Sequence, residues 1–223
     1  MSAALTPAPS ARVLMTADAV GGVWTYSLDL ARGLAAANVA TMLVVLGPSP
    51  TSQQVIEAYS VPRLTLVETE MPLDWTAVEL AEVLEGAHAV RGLARGGRVD
   101  LVHLNSPALA AGDGWSVPVA GACHSCLSTW WNAVKDGPMP PDFRWRSQAL
   151  WRGLLNCDAL LAPTHAFAEA IRRTYNVPKP QVVLNGRHPA GDAAAGEASE
   201  SMVLTSGRLW DEAKNVSVLD RAA

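Results

Sequence analysis

Cysteine is scarce in this chain. Cys123, Cys126 and Cys157 are its three cysteines, too few and too unevenly placed for a disulfide framework, which points to a reducing, cytoplasmic compartment. A strong charge is lacking too. Lys and Arg number 17 against 21 Asp and Glu, a net charge of −4, so composition makes no general case for nucleic acid or an acidic membrane surface. No apolar run approaches the ~20 residues that a membrane-spanning helix needs. The Ala- and Pro-rich start, Met1–Ser10, has neither the basic opening nor the apolar core of a signal peptide, and residues 1–11 read as a disordered tail. Two motifs are absent as well. Gly-x-Gly-x-x-Gly does not occur at the first strand-to-helix turn, which argues against a dinucleotide enzyme. No Gly-x-Ser-x-Gly elbow supports a hydrolase.

What is present is an alternation of apolar runs and amphipathic segments. With 223 residues, 49% of them hydrophobic, the chain has ample material for a core. Arg12–Ala17 is a compact apolar run. Asp18-Ala19-Val20-Gly21-Gly22 follows, and then a segment that places Val23, Leu30, Ala31 and Leu34 on one helical face. Ala40–Leu46 reads as a second buried strand, completing a βαβ unit. Glycines at such a turn let another group approach the backbone, and the bare N–H groups of the helix N-terminus favour an anion. A tight turn that merely needs glycine explains them equally well.

The alternation continues downstream. A short helix over 51–59 precedes a strand at Arg63–Val67. Asp74 is read as the N-cap of a helix striped by Leu80, Leu84, Ala87 and Val90, which Gly96-Gly97 ends. Asp100–Asn105 and Val117–Cys123 are strands four and five, and Leu127–Pro141 reads as a loop. A helix from Asp142 to Asn156, a strand at Asp158–Ala162, a helix capped by Thr164 and a strand at Gln181–Leu184 follow. This order implies a parallel sheet with helices on both faces, a Rossmann-like α/β domain over residues 12–186. In such sheets ligands sit beyond the C-terminal strand ends. That rule selects Asp18, Gly21 and Gly22 after strand one, Asn105 and Ser106 after strand four, and His124 and Ser125 after strand five. Residues 187–201, rich in Gly, Ala, Ser and Glu, have the composition of a linker. Met202–Gly207 then reads as a new strand and Val216–Ala223 as the start of a helix, the opening of an incomplete second domain.

Four segments in this order resemble a GT-B glycosyltransferase, most similar to the retaining enzymes of family 4. They are Asp18–Tyr26 with its glycine turn, Cys123-His124-Ser125, Val183-Leu184-Asn185-Gly186-Arg187, and Ser206-Gly207-Arg208-Leu209 with Lys214. The resemblance implies an acceptor-side N-terminal domain followed by the beginning of a donor-side domain. It implies a nucleotide-diphosphate sugar in the cleft between the two, with Gly21, Gly22, Arg208 and Lys214 on the diphosphate and His124 orienting the acceptor. It implies no cofactor and no metal, and a C-terminal domain as the necessary partner. The family's pair of glutamates downstream of Lys214 does not occur before the chain ends, so the expectation is a fragment or truncated form that is inactive alone. The alternative is a non-catalytic module that binds a sugar or a protein.

Several groups have plainer readings. Arg208 and Lys214 suit a diphosphate, the one as a planar fork and the other as a point charge, or they are solvated cations beside Asp211 and Glu212. His124 positions a hydroxyl or is a structural histidine at a strand end, while His103 reads as a packed core residue. Trp130 offers a flat face to a sugar or is a packing anchor. Cys123-His124-Ser125-Cys126 invites a metal or redox reading, but a structural zinc site needs a second ligand pair. Arg144, Arg146 and Arg152 read as a solvated face, and a peripheral membrane contact finds no support in composition.

Overall fold

The structure, a computed structural model, describes residues 8–187, 204, 205, 207, 209 and 211–222. Seven parallel strands lie in the order β3-β2-β1-β4-β5-β6-β7. They are β1 (Ala11–Asp18), β2 (Val39–Leu46), β3 (Leu64–Glu68), β4 (Leu101–Leu104), β5 (Val119–Ala122), β6 (Ala159–Ala162) and β7 (Gln181–Val182). The α/β class read from the alternation is the observed one.

The apolar runs are continuous because both faces of the sheet are covered. Successive side chains on a strand point to opposite faces, and each face has its own core. Met15, Ala17, Leu43 and Val45 pack with Trp24, Leu28 and Ala31 of α1 (Gly22–Ala36) and Ala58 of α2 (Ser52–Tyr59). Leu14, Val44, Leu46, Val102 and Leu104 face the other way. They meet Val83, Ala87 and Val90 of α3 (Leu80–Gly96), Leu150 and Leu154 of α5 (Pro141–Asn156), and Ile171 of α6 (His165–Tyr175). In α1 the buried face is Trp24, Ser27, Leu28 and Ala31, with Val23, Leu30 and Leu34 only partly covered beside it.

Helix ends follow the sequence signals where a side-chain oxygen caps them. Thr51 and Gln54 form a reciprocal capping box on α2, and Thr164 accepts from the Phe167 N–H to start α6. Gln54 also donates to the Ala19 carbonyl at 2.9 Å, tying α2 to the loop before the glycine turn.

Four readings change. Leu127–Pro141 is not a loop throughout, because Leu127–Val134 forms α4. Its cap is the Cys126 sulfur, which accepts from Thr129 N–H at 3.4 Å, and sulfur is a weak acceptor that carries little sequence signal. Asp74 caps nothing, since α3 begins six residues later behind Glu79 without a side-chain cap. Leu84 lies on the exposed side of α3, whose buried stripe is Val83, Gly86, Ala87, Val90 and Ala94. Leu204, Thr205 and Gly207 carry no strand, and Met202, Val203 and Ser206, like most of the linker, lie outside the described residues. A short helix, α7 (Ser217–Ala222), does stand where a helical start was expected.

Candidate active site

The chain runs outward from β1 to β2 and β3, then returns through α3 to β4 on the other side of β1. That reversal leaves a crevice above the C-terminal ends of β1 and β4, where ligands bind in open α/β sheets. A cleft of about 490 Å³ lies there, lined among others by Asp18, Asp74, Asn105, His124, Trp130 and Arg146. A second hollow, lined by Gly112–Pro118, Asn156 and Asp158, sits at the opposite, N-terminal ends of β5 and β6.

Asn105, just past β4, is the hub of the site. Its backbone N–H donates to Thr16 Oγ1 at 3.0 Å. Its amide Nδ2 donates to the Thr16 carbonyl at 2.6 Å and to Ser27 Oγ at 3.0 Å. Its Oδ1 lies 3.1 Å from His103 Nε2 and 2.8 Å from His124 Nε2. The Tyr26 ring stands edge-on to His124, with centroids 4.5 Å apart, and its hydroxyl lies 3.4 Å from His103 Nε2. His103 is therefore buried, as expected of a core residue, yet tied to the same asparagine as His124.

Burial holds both imidazoles below their ordinary protonation range, His103 at about 4 and His124 in the same direction. The folded chain thus refuses a proton at His103 that the unfolded chain takes up near 6.5. Stability is full above that value and is lost as pH falls through it toward about 4. The loss from this one group is expected to reach about 3 kcal/mol. Urea unfolding of wild type and His103→Gln between those two pH values tests it, and identical slopes in the two proteins would remove His103 from the acid response.

Asp18 Oδ1 accepts from the N–H groups of Val20 and Gly21 at 2.9 and 3.1 Å. Two amides of the turn are therefore already engaged, leaving those of Gly22 and Val23 at the opening of α1. Gly21 has an extended conformation, and a Cβ on Gly21 or Gly22 would meet nothing within 4 Å. Neither packing nor a left-handed backbone demands glycine here, and the space beside both residues is open. Gly22→Ala is expected to keep or slightly raise thermal stability, by no more than about 1 kcal/mol. A clearly lowered unfolding midpoint would return the turn to a purely structural role.

The other walls are carboxyls and rings. Asp74 is half-buried; desolvation raises its carboxyl pKa and the nearby Asp18 charge adds to this, while the Ser106 hydroxyl pulls the other way without good hydrogen-bond geometry. Arg146 is not solvated as expected. It pairs with Asp142 at 3.3 Å, donates to the Ala77 carbonyl at 2.7 Å and lies over the Trp145 ring. Trp130, on α4 rather than in a loop, donates Nε1–H to Asp211 at 3.4 Å, and Lys135 forms an ion pair with Glu212. Ser125 is exposed at the cleft. Asp211 and Glu212 lead directly to Lys214, itself exposed. Arg208 lies outside the described residues.

The thiols play a structural part. Desolvation pushes Cys123 and Cys157 up to about 12, which suppresses the reactive thiolate. Among the described residues no group of three or more His, Cys, Asp or Glu side chains is placed to hold a metal ion, and no helix is long and apolar enough to cross a membrane.

The model of glycosyltransferase family 4 matches residues 20–190, a span that contains the glycine turn, Asn105 and His124. This chain belongs to that family. No curated protein sequence matches it. Solved structures share its fold at low identity. A glycosyltransferase from Rickettsia africae ESF-5 aligns with TM-score 0.50 and 16% identity, over 78% of this chain and 42% of its own. UGT2 from Phytolacca americana, solved with UDP-2-fluoroglucose and pterostilbene, aligns with TM-score 0.52 and 15% identity over 80% and 53%. A UDP-glucosyltransferase from Polygonum tinctorium capable of glucosylating indoxyl, in complex with 3,4-dichloroaniline, gives 0.53 and 14% over 88% and 56%. The family 4 chain spans about half the length of these structures. Asp74, Asp142, Arg146 and Asp211 are among the wall residues that the sequence did not single out as ligand-facing; only their placement in three dimensions reveals them.

Proposed function

We propose that this chain is the acceptor-side half of a glycosyltransferase that moves a sugar from a nucleoside-diphosphate sugar to a hydroxyl held in the cleft. The observation that carries this reading is His124. It stands at the end of β5 inside the cleft, kept neutral by burial and hydrogen-bonded to Asn105, in a chain of family 4. A neutral imidazole can accept the hydroxyl proton or orient the hydroxyl toward the sugar.

The diphosphate would rest against the N–H groups of Gly22 and Val23, with Lys214 and Arg208 supplying cations from the donor side as negative charge builds on the leaving group. One solved neighbour, at 15% identity, carries UDP-2-fluoroglucose, which supports a nucleotide sugar as a class without specifying the base or the sugar. The chain's own acceptor walls say more about the other substrate. Asp18, Asp74, Asp142 and Asp211 line the cleft, and Arg146, the one arginine among the described lining residues, is paired with Asp142. Leu73, Trp75, Leu127, Trp130, Phe143 and Leu150 make up much of the remainder. Such a surface disfavours an anionic acceptor, because like charges in a partly desolvated cleft repel, and it favours an uncharged or cationic alcohol with an apolar face.

The test is a product assay with a panel of nucleotide sugars and two acceptors, an aryl glucoside and its 6-phosphate. It is run on the 223-residue chain alone and again with a donor-side domain supplied. Transfer to the neutral acceptor only when both halves are present is the expected result. Turnover by the chain alone would move the active site elsewhere, and a preference for the phosphorylated acceptor would overturn the reading of the walls. Specific sugar binding without transfer under any condition would leave the chain as a binding module.

A further inference from the structure

Both ends of the Asn105 side chain are fully engaged, and one of its partners leaves no choice of orientation. A backbone carbonyl can only accept. The group 2.6 Å from the Thr16 carbonyl must therefore be the amide nitrogen, since a flipped side chain would press two lone-pair oxygens together. Ser27 Oγ takes the second amide hydrogen at 3.0 Å. Oδ1 is thereby fixed toward the histidines, and it too can only accept. Each imidazole nitrogen that meets it, His124 Nε2 at 2.8 Å and His103 Nε2 at 3.1 Å, must carry a hydrogen. Two lone pairs receive two N–H donors, which satisfies the carbonyl completely.

We propose that Asn105 is a positioning residue that locks His124 in its Nε2–H tautomer and thereby assigns proton acceptance to Nδ1. Among the described residues Nδ1 of His124 has no hydrogen-bond partner, and the residue lines the cleft. The chain of cause is short. The Thr16 carbonyl on β1 orients the amide of Asn105, the amide orients its own oxygen, and that oxygen chooses the tautomer on the end of β5. His103 is held in the same tautomer by the other lone pair, so the two rings do not compete for a proton between them. The Tyr26 ring, edge-on to His124, limits rotation of the imidazole about its hydrogen bond.

This inference rests on the reading of His124 as the group that meets the acceptor, but its test does not depend on turnover. A 15N-labelled sample of the 223-residue chain at pH 7 gives separate long-range nitrogen–proton correlations for the two neutral tautomers of each histidine. His124→Gln assigns the ring. Wild type is expected to show the Nε2–H form of His124 in at least about tenfold excess, because the other form would set a bare nitrogen against Oδ1. In folded Asn105→Ala the same ratio is expected to fall at least about threefold, as an untethered neutral ring samples both forms. A wild-type ring carrying its hydrogen on Nδ1 overturns the proposal and needs no Asn105 variant to be folded. An unchanged ratio in folded Asn105→Ala does so too, since a purely structural asparagine alters stability without touching the tautomer. Loss of transfer in His124 variants, by contrast, bears on the function and leaves the tautomer assignment standing.

Discussion

Gly153→Ala is expected to cost about 3 kcal/mol of folding stability. Helix propensity alone points the other way, since alanine exceeds glycine by up to about 1 kcal/mol in a helix interior. Contact decides the sign. A Cβ at position 153 would stand 1.9 Å from the Pro107 carbonyl oxygen and 2.7 Å from its carbon. Both obstacles are backbone, so no side chain can swing aside, and α5 must lift from the 3₁₀ turn at Pro107–Ala111. Asn156, which donates to the Ala110 carbonyl at 2.8 Å, would be pulled with it. The damage would not stay local, because Pro107 and Leu109 on one element and Ser147 and Leu150 on the other line the cleft. Chemical unfolding of the 223-residue chain measures the effect, and an unfolding midpoint equal to wild type would show that α5 and the turn are less firmly apposed than the structure has them.

The second large effect concerns rate. With a donor-side domain present, His124→Ala is expected to lower kcat about 10²–10⁴-fold, the usual range for a positioned proton acceptor. Exposed His88 on α3 provides the control, and His88→Ala should leave kcat unchanged. The pH profile carries a sign of its own. Burial holds His124 below 6.5, so the wild-type rate is expected to be flat at neutral pH and to fall only on the acid side of that value. An acid limb that survives intact in His124→Ala would assign it to a different group.

How far the chain could be read from its letters varied with the physics of each part. β1 and β2 announced themselves because strands covered on both faces are apolar throughout, and Leu14 and Met15 feed opposite cores. His124 and Asn105 were legible from topology, since both follow a strand at its C-terminal end. α4 was hidden by its cap, a cysteine, and by the tryptophans and prolines around it. Asp74 and Arg146 were hidden for a different reason. A carboxylate in a turn before a helix looks like a cap, and an arginine on a helix looks solvated, until α5 and the segment before α3 are seen to meet over the same cleft. The shared hydrogen bonds of His103 and His124 were beyond the sequence as well, because nothing in one dimension says that two strand ends offer their rings to one amide.

The link from Gln54 to Ala19 gives α2 a mechanical role that its distance from the cleft in sequence conceals. One side chain acts at once as the brace of its own helix, through Thr51, and as a strut under the loop that carries the glycine turn. A brace and a strut built from the same amide cannot be adjusted independently. Tilting α2 on the sheet would raise or lower the Ala19 carbonyl with it, and the N–H groups of Gly22 and Val23, three and four residues further on, would follow. The height of the turn above β1 is thus shared between the Asp18 carboxylate beneath it and a lever whose fulcrum is the first turn of α2.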